Sequence, residues 1–225
     1  MIRLSLLIIG LSTSAAFSNP ITQVPYDTIA QTAAGLIDFE EYPVLPEPGQ
    51  AIQGTIHAPG AALGAMLNGQ ALGEEEGFAA LEGAPTRPPR VLQPTHTPPH
   101  AVAFHAGFGS NALFPLGPDG FEKRSGRGEG VLAISFDAPI QSFALRLHLD
   151  YADPLGSRPA PGPVQLHFYG ADASLSHVAQ VTPGHGVHSF GFQSDAPIMA
   201  ITLTHQDPGG IAIDDIRYSL KNLAN

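Results

Sequence analysis

Apolar and polar positions alternate most cleanly in the C-terminal half of the chain. In residues 142–149, Phe143, Leu145, Leu147 and Leu149 share one face, and Ala144, Arg146 and His148 share the other. Residues 164–169 repeat the pattern, with Val164, Leu166 and Phe168 on one side and Gln165, His167 and Tyr169 on the other. A period of two is the signature of a half-buried β-strand. Residues 101–104, 130–137, 187–192 and 198–204 read as further strands, and residues 209–218 as the last one. Near the start, residues 35–42 read as the first strand, stopped by Pro43, Pro46 and Pro48. Short strands with one apolar face and no long helical pattern predict an all-β fold, an antiparallel β-sandwich of the jelly-roll type.

The rest of the chain is arranged around that sandwich. Residues 1–18 put Arg3 before a short apolar run that ends in small residues, the layout of a signal peptide, with cleavage after Ala16 or Ser18. The run is shorter than the roughly 20 residues a membrane-spanning helix needs, and no second such run follows. Residues 19–34 read as a polar lead, 35–220 as one sandwich domain and 221–225 as a tail. Within the domain, residues 49–100 form an irregular Pro/Gly-rich insertion, in which 60–67 and 74–81 each suggest a short helical turn. The expected location is exported, in the periplasm or outside the cell.

Composition narrows the function. The formal net charge is −10; removing the signal takes away Arg3 and leaves nine basic against twenty acidic residues, −11. That balance argues against nucleic acid and anionic membranes as partners. With no cysteine in the chain, thiol-based metal sites and nucleophiles are excluded. The ten histidines are scattered and lack a His-Glu-x-x-His motif, so they read as surface residues. His148 and His167 are placed as cross-strand neighbours, and His205 falls on the inward phase of its strand.

Two groups of residues carry candidate chemistry. Asp214 and Asp215 interrupt a run of isoleucines, where Asp is a poor strand former and an unpaired buried carboxylate is costly. A straight strand cannot hide Ile211, Ile213 and Ile216 on one side, so a bulge is expected between the aspartates. Asp38 and Glu40 lie on the first strand. If the terminal strands run side by side, these four carboxylates converge on one Ca²⁺; otherwise they are solvated or cap backbone amides. The second group is the outward face formed by Arg146, His148, Gln165, His167 and Tyr169, with Thr202 and Thr204 beside them. Planar donors next to an aromatic ring suit a sugar, although any solvated sheet also presents polar outward residues.

Asp38-Phe39-Glu40-Glu41 and Gly210-Ile-Ala-Ile-Asp-Asp-Ile216 resemble the opening and closing motifs of MAM domains. The closing pattern is similar to that of exported bacterial sandwiches with jelly-roll or galactose-binding-like folds, including those sorted by PEP-CTERM tails. The resemblance implies a jelly roll with a structural cation near the chain ends and an adhesive or binding role, with Glu40 and Asp215 as its first ligands. The matching stretches cover about 11 residues, and the chain departs from the pattern in having no cysteine, tryptophan or sorting tail. The expected function is a non-catalytic binding module for a glycan or an extracellular protein. The alternatives are an exported polysaccharide hydrolase and a structural envelope or matrix component.

Overall fold

A computed structural model describes residues 21–92, 97–149 and 162–220. The signal-peptide segment, the tail and His96 lie outside the described residues. In chain order the strands are β1 (Ile21–Val24), β2 (Gly35–Ile37), β3 (Gln50–Ile52), β4 (Ile56–Ala58), β5 (Ala61–Gly64), β6 (Met66–Leu67), β7 (Ala71–Glu75) and β8 (Phe78–Glu82). They continue with β9 (Val91–Leu92), β10 (His100–His105), β11 (Ser110–Pro115), β12 (Leu132–Leu149), β13 (Val164–Tyr169), β14 (Leu175–Val181), β15 (Gly186–His205) and β16 (Ile211–Leu220). Among the described residues one α-helix, α1, covers Tyr26–Ala30, and Arg124–Gly126 form a short 3-10 helix. Among the described residues, no helix is long and apolar enough to cross a membrane.

The two longest strands build the sandwich by belonging to both of its layers. In β12, residues 132–135 pair with residues 200–203 of β15, whereas residues 142–149 pair with residues 186–193. Between these ladders the register breaks around Ile140, which pairs with Ile198. Each strand turns its corner at the same tetrapeptide, Asp137-Ala-Pro-Ile140 in β12 and Asp195-Ala-Pro-Ile198 in β15. Proline has no N–H for the ladder, so it belongs where pairing is interrupted. The sequence pattern divided each of these strands in two because its alternation lapses at the corner.

The first layer runs β14-β13-β15-β12-β5-β4, and the second β1-β15-β12-β16-β11-β10-β3, with β2 also on β16. All pairings are antiparallel. The inward residues read from the alternation are buried: Phe143, Leu145, Leu147, Leu149, Val164, Leu166 and Phe168 are each at most 1% exposed. Phe143 of the second layer meets Phe168 of the first edge-on, with ring centroids 6.5 Å apart. Burying each such side chain contributes about 1.5–3 kcal/mol.

Several segments differ from the expectation. The supposed polar lead supplies β1, which pairs with β15, and α1, whose Ile29 is 1% exposed. Gly191 lets α1 sit close, because a Cβ there would meet the Val24 and Pro25 carbonyl oxygens at 2.9 and 3.0 Å. The two suspected helical turns are strands. Residues 61–64 form β5 against β12, and 71–82 form the hairpin of β7 and β8. Glu76 (φ 52°) and Gly77 (φ 88°) both lie in the left-handed region, the backbone of a two-residue hairpin turn. The Ala/Leu/Glu composition suggested helix, but the turn and the pairing decide the outcome. β14 is a strand the pattern did not reveal.

Candidate functional site

The structure divides the expected sugar-binding face in two. Gln165, His167 and Tyr169 point outward from β13 in the first layer. Arg146 and His148 lie on the half of β12 that belongs to the second layer. His167 pairs with Thr202 and Val178, and His148 with Val187 and Ala212, so the two histidines are not cross-strand neighbours. The corner of β12 is the reason: it carries residues 142–149 away from β13, whose neighbours are β14 and β15.

The β13 half lines a groove of about 610 Å³. Its floor includes Gln165, His167, Tyr169, Thr202 and Thr204, and the β7–β8 hairpin forms a wall through Phe78 to Leu81. At one end Leu67 and Val91, from β6 and β9, pack on Tyr169. Tyr169 Oη and Thr202 Oγ1 lie 3.4 Å apart, with both residues buried. Burial pushes the His167 imidazole below its ordinary value, so it enters the groove neutral, with one donor and one acceptor.

Beside the floor, Leu175 (52% exposed) and Val178 (42%) extend the same face as an apolar shelf. At the opposite end, His205 is buried as its inward phase predicts. Its Nδ1 accepts the Asp207 N–H at 3.0 Å, and its ring meets Phe78 edge-on at 5.8 Å. Burial pushes His205 down to about 4. The sequence reading missed Phe78, Leu175 and Val178. Val178 stands in the period-two phase of Gln180, but a bulge at Ser176 breaks the alternation before Leu175.

Arg146 and His148 sit in a different setting. Arg146 Nη1 donates to Asp215 Oδ2 at 2.9 Å, and its guanidinium lies 5.2 Å from the Phe108 ring centroid. His148 packs against His105 with the two rings tilted at 59° and their centroids 4.4 Å apart. The Gly107 N–H is 3.1 Å from His105 Nδ1, which leaves the proton on Nε2, and burial pushes His105 down to about 4.

β2 pairs with β16 as expected, but it ends at Ile37 rather than continuing to Tyr42, so Asp38 and Glu40 follow the strand instead of lying on it. The bulge is present too: Ala144 pairs with Arg217 and Arg146 with Asp214, leaving Asp215 and Ile216 opposite Leu145. Asp215 takes the extra position at φ 48°, which returns Ile216 to the core beside Ile211 and Ile213. Tyr26 Oη caps the bulge by donating to the Asp215 carbonyl at 3.0 Å.

The four carboxylates have different surroundings. Asp214 is 1% exposed; its Oδ2 accepts from Ser110 Oγ at 2.6 Å and its Oδ1 from the Asp215 N–H at 2.7 Å. Burial outweighs these bonds and pushes Asp214 up to about 7. Asp215 faces Arg146 and also Arg217 at 3.6 Å. Asp38 accepts the Glu40 N–H at 3.3 Å, and Glu40 accepts the Asn111 N–H at 2.9 Å. Asn111 Nδ2 donates to the carbonyls of Phe39 and Tyr42, while its Oδ1 is buried with no hydrogen-bond partner among the described residues.

A calcium ion needs oxygen ligands with lone pairs to spare. Asp214 and Asp215 are satisfied by protein donors, whereas the Glu40–Asn111 corner keeps a free oxygen. The described residues hold no group of three or more His, Asp or Glu side chains placed around one metal position. Elsewhere, a cleft of about 750 Å³ includes Glu129, whose carboxyl is pushed up to about 7 by burial and then by the charge of Asp119.

No family model matches the chain, and no curated protein matches it. A solved structure of a family 29 carbohydrate-binding module, a mutant studied for ligand recognition, aligns with a TM-score of 0.31 and 12% identity. The alignment covers 71% of this chain and 87% of that one. Agreement at that level leaves the fold to rest on the strands and pairings described above.

Proposed function

We propose that the protein is an exported, non-catalytic β-sandwich module that binds a glycan across the outer face of β13, β14 and the second half of β15. The groove carries this reading. It sets polar groups of both hydrogen-bonding senses (Gln165, His167 and Thr204) beside apolar Leu175, Val178 and Phe78. Sugars present both kinds of surface, hydroxyls around the ring and C–H groups on its faces. Glycosidase chemistry of the usual kind uses two carboxyl groups across the scissile bond. Among the described residues lining the groove there is one carboxylate, Glu75. Retardation in native gels containing soluble neutral polysaccharides tests the reading. The wild type should be held back, and Gln165→Ala and His167→Ala should each weaken binding about fivefold, the value of one hydrogen bond near 1 kcal/mol. Unretarded migration with every polysaccharide would sink the proposal.

A second proposal concerns stability. The free Asn111 Oδ1 beside Glu40 supports a structural Ca²⁺ at that corner, with Glu40 as its charged ligand and the arginine-paired Asp215 outside it.

A further inference from the structure

We infer that the β7–β8 hairpin is a hinged flap, which swings over the β13 groove and closes on the bound ligand. The identity of that ligand rests on the glycan reading above, and the motion rests on how the hairpin is attached. β7 and β8 pair with each other and with none of the sandwich strands. None of residues 71–83 is buried, and none joins a buried apolar cluster among the described residues. One hydrogen bond, from the Ala79 N–H to the Glu129 carbonyl at 3.2 Å, ties the hairpin to the sandwich among the described residues. The edge-on contact of the Phe78 ring with His205 is its second attachment. Segments with few buried apolar contacts and an exposed backbone are the ones that open at least cost.

The root of the hairpin is built differently. Leu67 is fully buried, and Asn68 clamps the two chain segments together: its carbonyl accepts the Thr86 N–H at 2.7 Å and its Oδ1 the Arg90 N–H at 2.8 Å. Between this clamp and the hairpin the segments cross at Gly69 (φ 89°) and Gly83 (φ 82°). A Cβ on Gly83 would lie 3.2 Å from the Gly69 carbonyl oxygen, so the crossing is backbone against backbone. Glycine adopts this left-handed backbone freely, and a few element-terminal residues of this kind suffice for a hinge. There is also room to turn. The hairpin stands between the groove of about 610 Å³ and a second cleft of about 740 Å³. Leu72 and Glu74 line that cleft, Glu75 and Phe78 line the groove, and Ala79 lines both. Movement toward the floor narrows the groove and carries the Phe78 ring from His205 onto the C–H face of a sugar.

Distances between paired spin labels, read by double electron–electron resonance, test the inference. The chain has no cysteine, so labels attach only where one is introduced. One pair is Glu76→Cys in the hairpin turn with Gln180→Cys, an exposed position on β14 that does not line the groove. A control pair, Gln180→Cys with the exposed Ser189→Cys on β15, reports the sandwich itself. Should Glu76→Cys disturb the turn, Glu74→Cys on β7 carries the label instead. Without ligand, the hairpin pair should give a broader distribution than the control, and a saturating soluble neutral glucan should shift it to one shorter distance. A ligand-free distribution as narrow as the control overturns the inference, whatever the gels show. A glucan that retards the protein yet leaves the hairpin distance unchanged overturns it too. A broad ligand-free distribution in a protein that no polysaccharide retards supports the hinge and sinks the glycan reading alone, so the two proposals fail separately.

Discussion

Asp215 Oδ2 lies 2.9 Å from Arg146 Nη1 across the bulge in β16, and the ion pair holds a non-glycine residue at φ 48°. Backbone and side chain therefore make opposing contributions at one position. Left-handed backbone costs an ordinary L-residue roughly 1 kcal/mol that glycine escapes. The pair itself, with both side chains about a quarter exposed (27% and 25%), contributes about 1 kcal/mol or less. Asp215→Ala should thus lose about 1 kcal/mol or less in urea unfolding, and Asp215→Gly should be about 1 kcal/mol more stable than Asp215→Ala. Equal losses would mean that the bulge does not hold its backbone in place.

The buried titratable groups set the pH of greatest stability. His100, His105 and His205 are each pushed down to about 4 by burial. Below about pH 6.5 the unfolded chain takes up protons that these folded histidines refuse, so their contribution is lost as pH falls. Asp214 and Glu129, both raised to about 7, act oppositely. Between about pH 4 and 7 the folded carboxyls keep protons that the unfolded ones release, so stability falls as pH rises through that window. Three histidines against two acids favour loss on the acid side, and above about pH 6.5 the acids outweigh the histidines. The melting temperature should peak between about pH 6 and 7. Asp214→Asn, which mimics the protonated carboxyl, should match the wild type near pH 4 and exceed it at pH 8. A variant that is weaker at pH 8 would show that Asp214 is ionised and paired.

Calcium separates the corner from the bulge. If Glu40 and Asn111 hold the ion, millimolar Ca²⁺ should raise the melting temperature relative to EDTA by several degrees, the effect of about 2.7 kcal/mol at a hundred times the dissociation constant. Glu40→Gln should abolish the shift and Asp215→Asn should keep it. Indifference of the wild type to Ca²⁺ would remove the cation from the account.

Much of the fold was legible because a sheet with one buried face writes a period of two into its sequence. Phe143 to Leu149 and Val164 to Phe168 could hardly be read otherwise, and the three isoleucines around Asp214 and Asp215 called for a bulge between the aspartates, which the structure places at Asp215. The corners were less legible. Asp137-Ala-Pro and Asp195-Ala-Pro read as strand ends, although the chain carries its ladders through them into the other layer. The site suffered for that reason, since the outward phases of β12 and β13 were right and their adjacency was not. The hairpin wall was hidden by its composition. Residues 74–81 contain glutamate, alanine and leucine as an exposed helix would, and only Glu76 and Gly77 mark the turn.

The groove's charge should decide which glycans it accepts. None of its described lining residues is Lys or Arg, His167 is neutral, and Glu75 on the hairpin contributes a carboxylate. An anionic polysaccharide would bring its carboxylates toward Glu75, in the field of a chain that carries twenty acidic residues against ten basic ones. Recognition of carboxylates relies on guanidinium or ammonium donors, and the described residues lining the groove include neither. In native gels, a neutral glucan should therefore retard the protein while polygalacturonate leaves it unretarded. Glu75→Gln should improve tolerance of the acidic polymer, most clearly at low salt where the charges are least screened. Polygalacturonate binding as strong as neutral binding would place the ligand on another face, with the cleft lined by Arg124 and Arg127 the first to examine by Arg124→Ala.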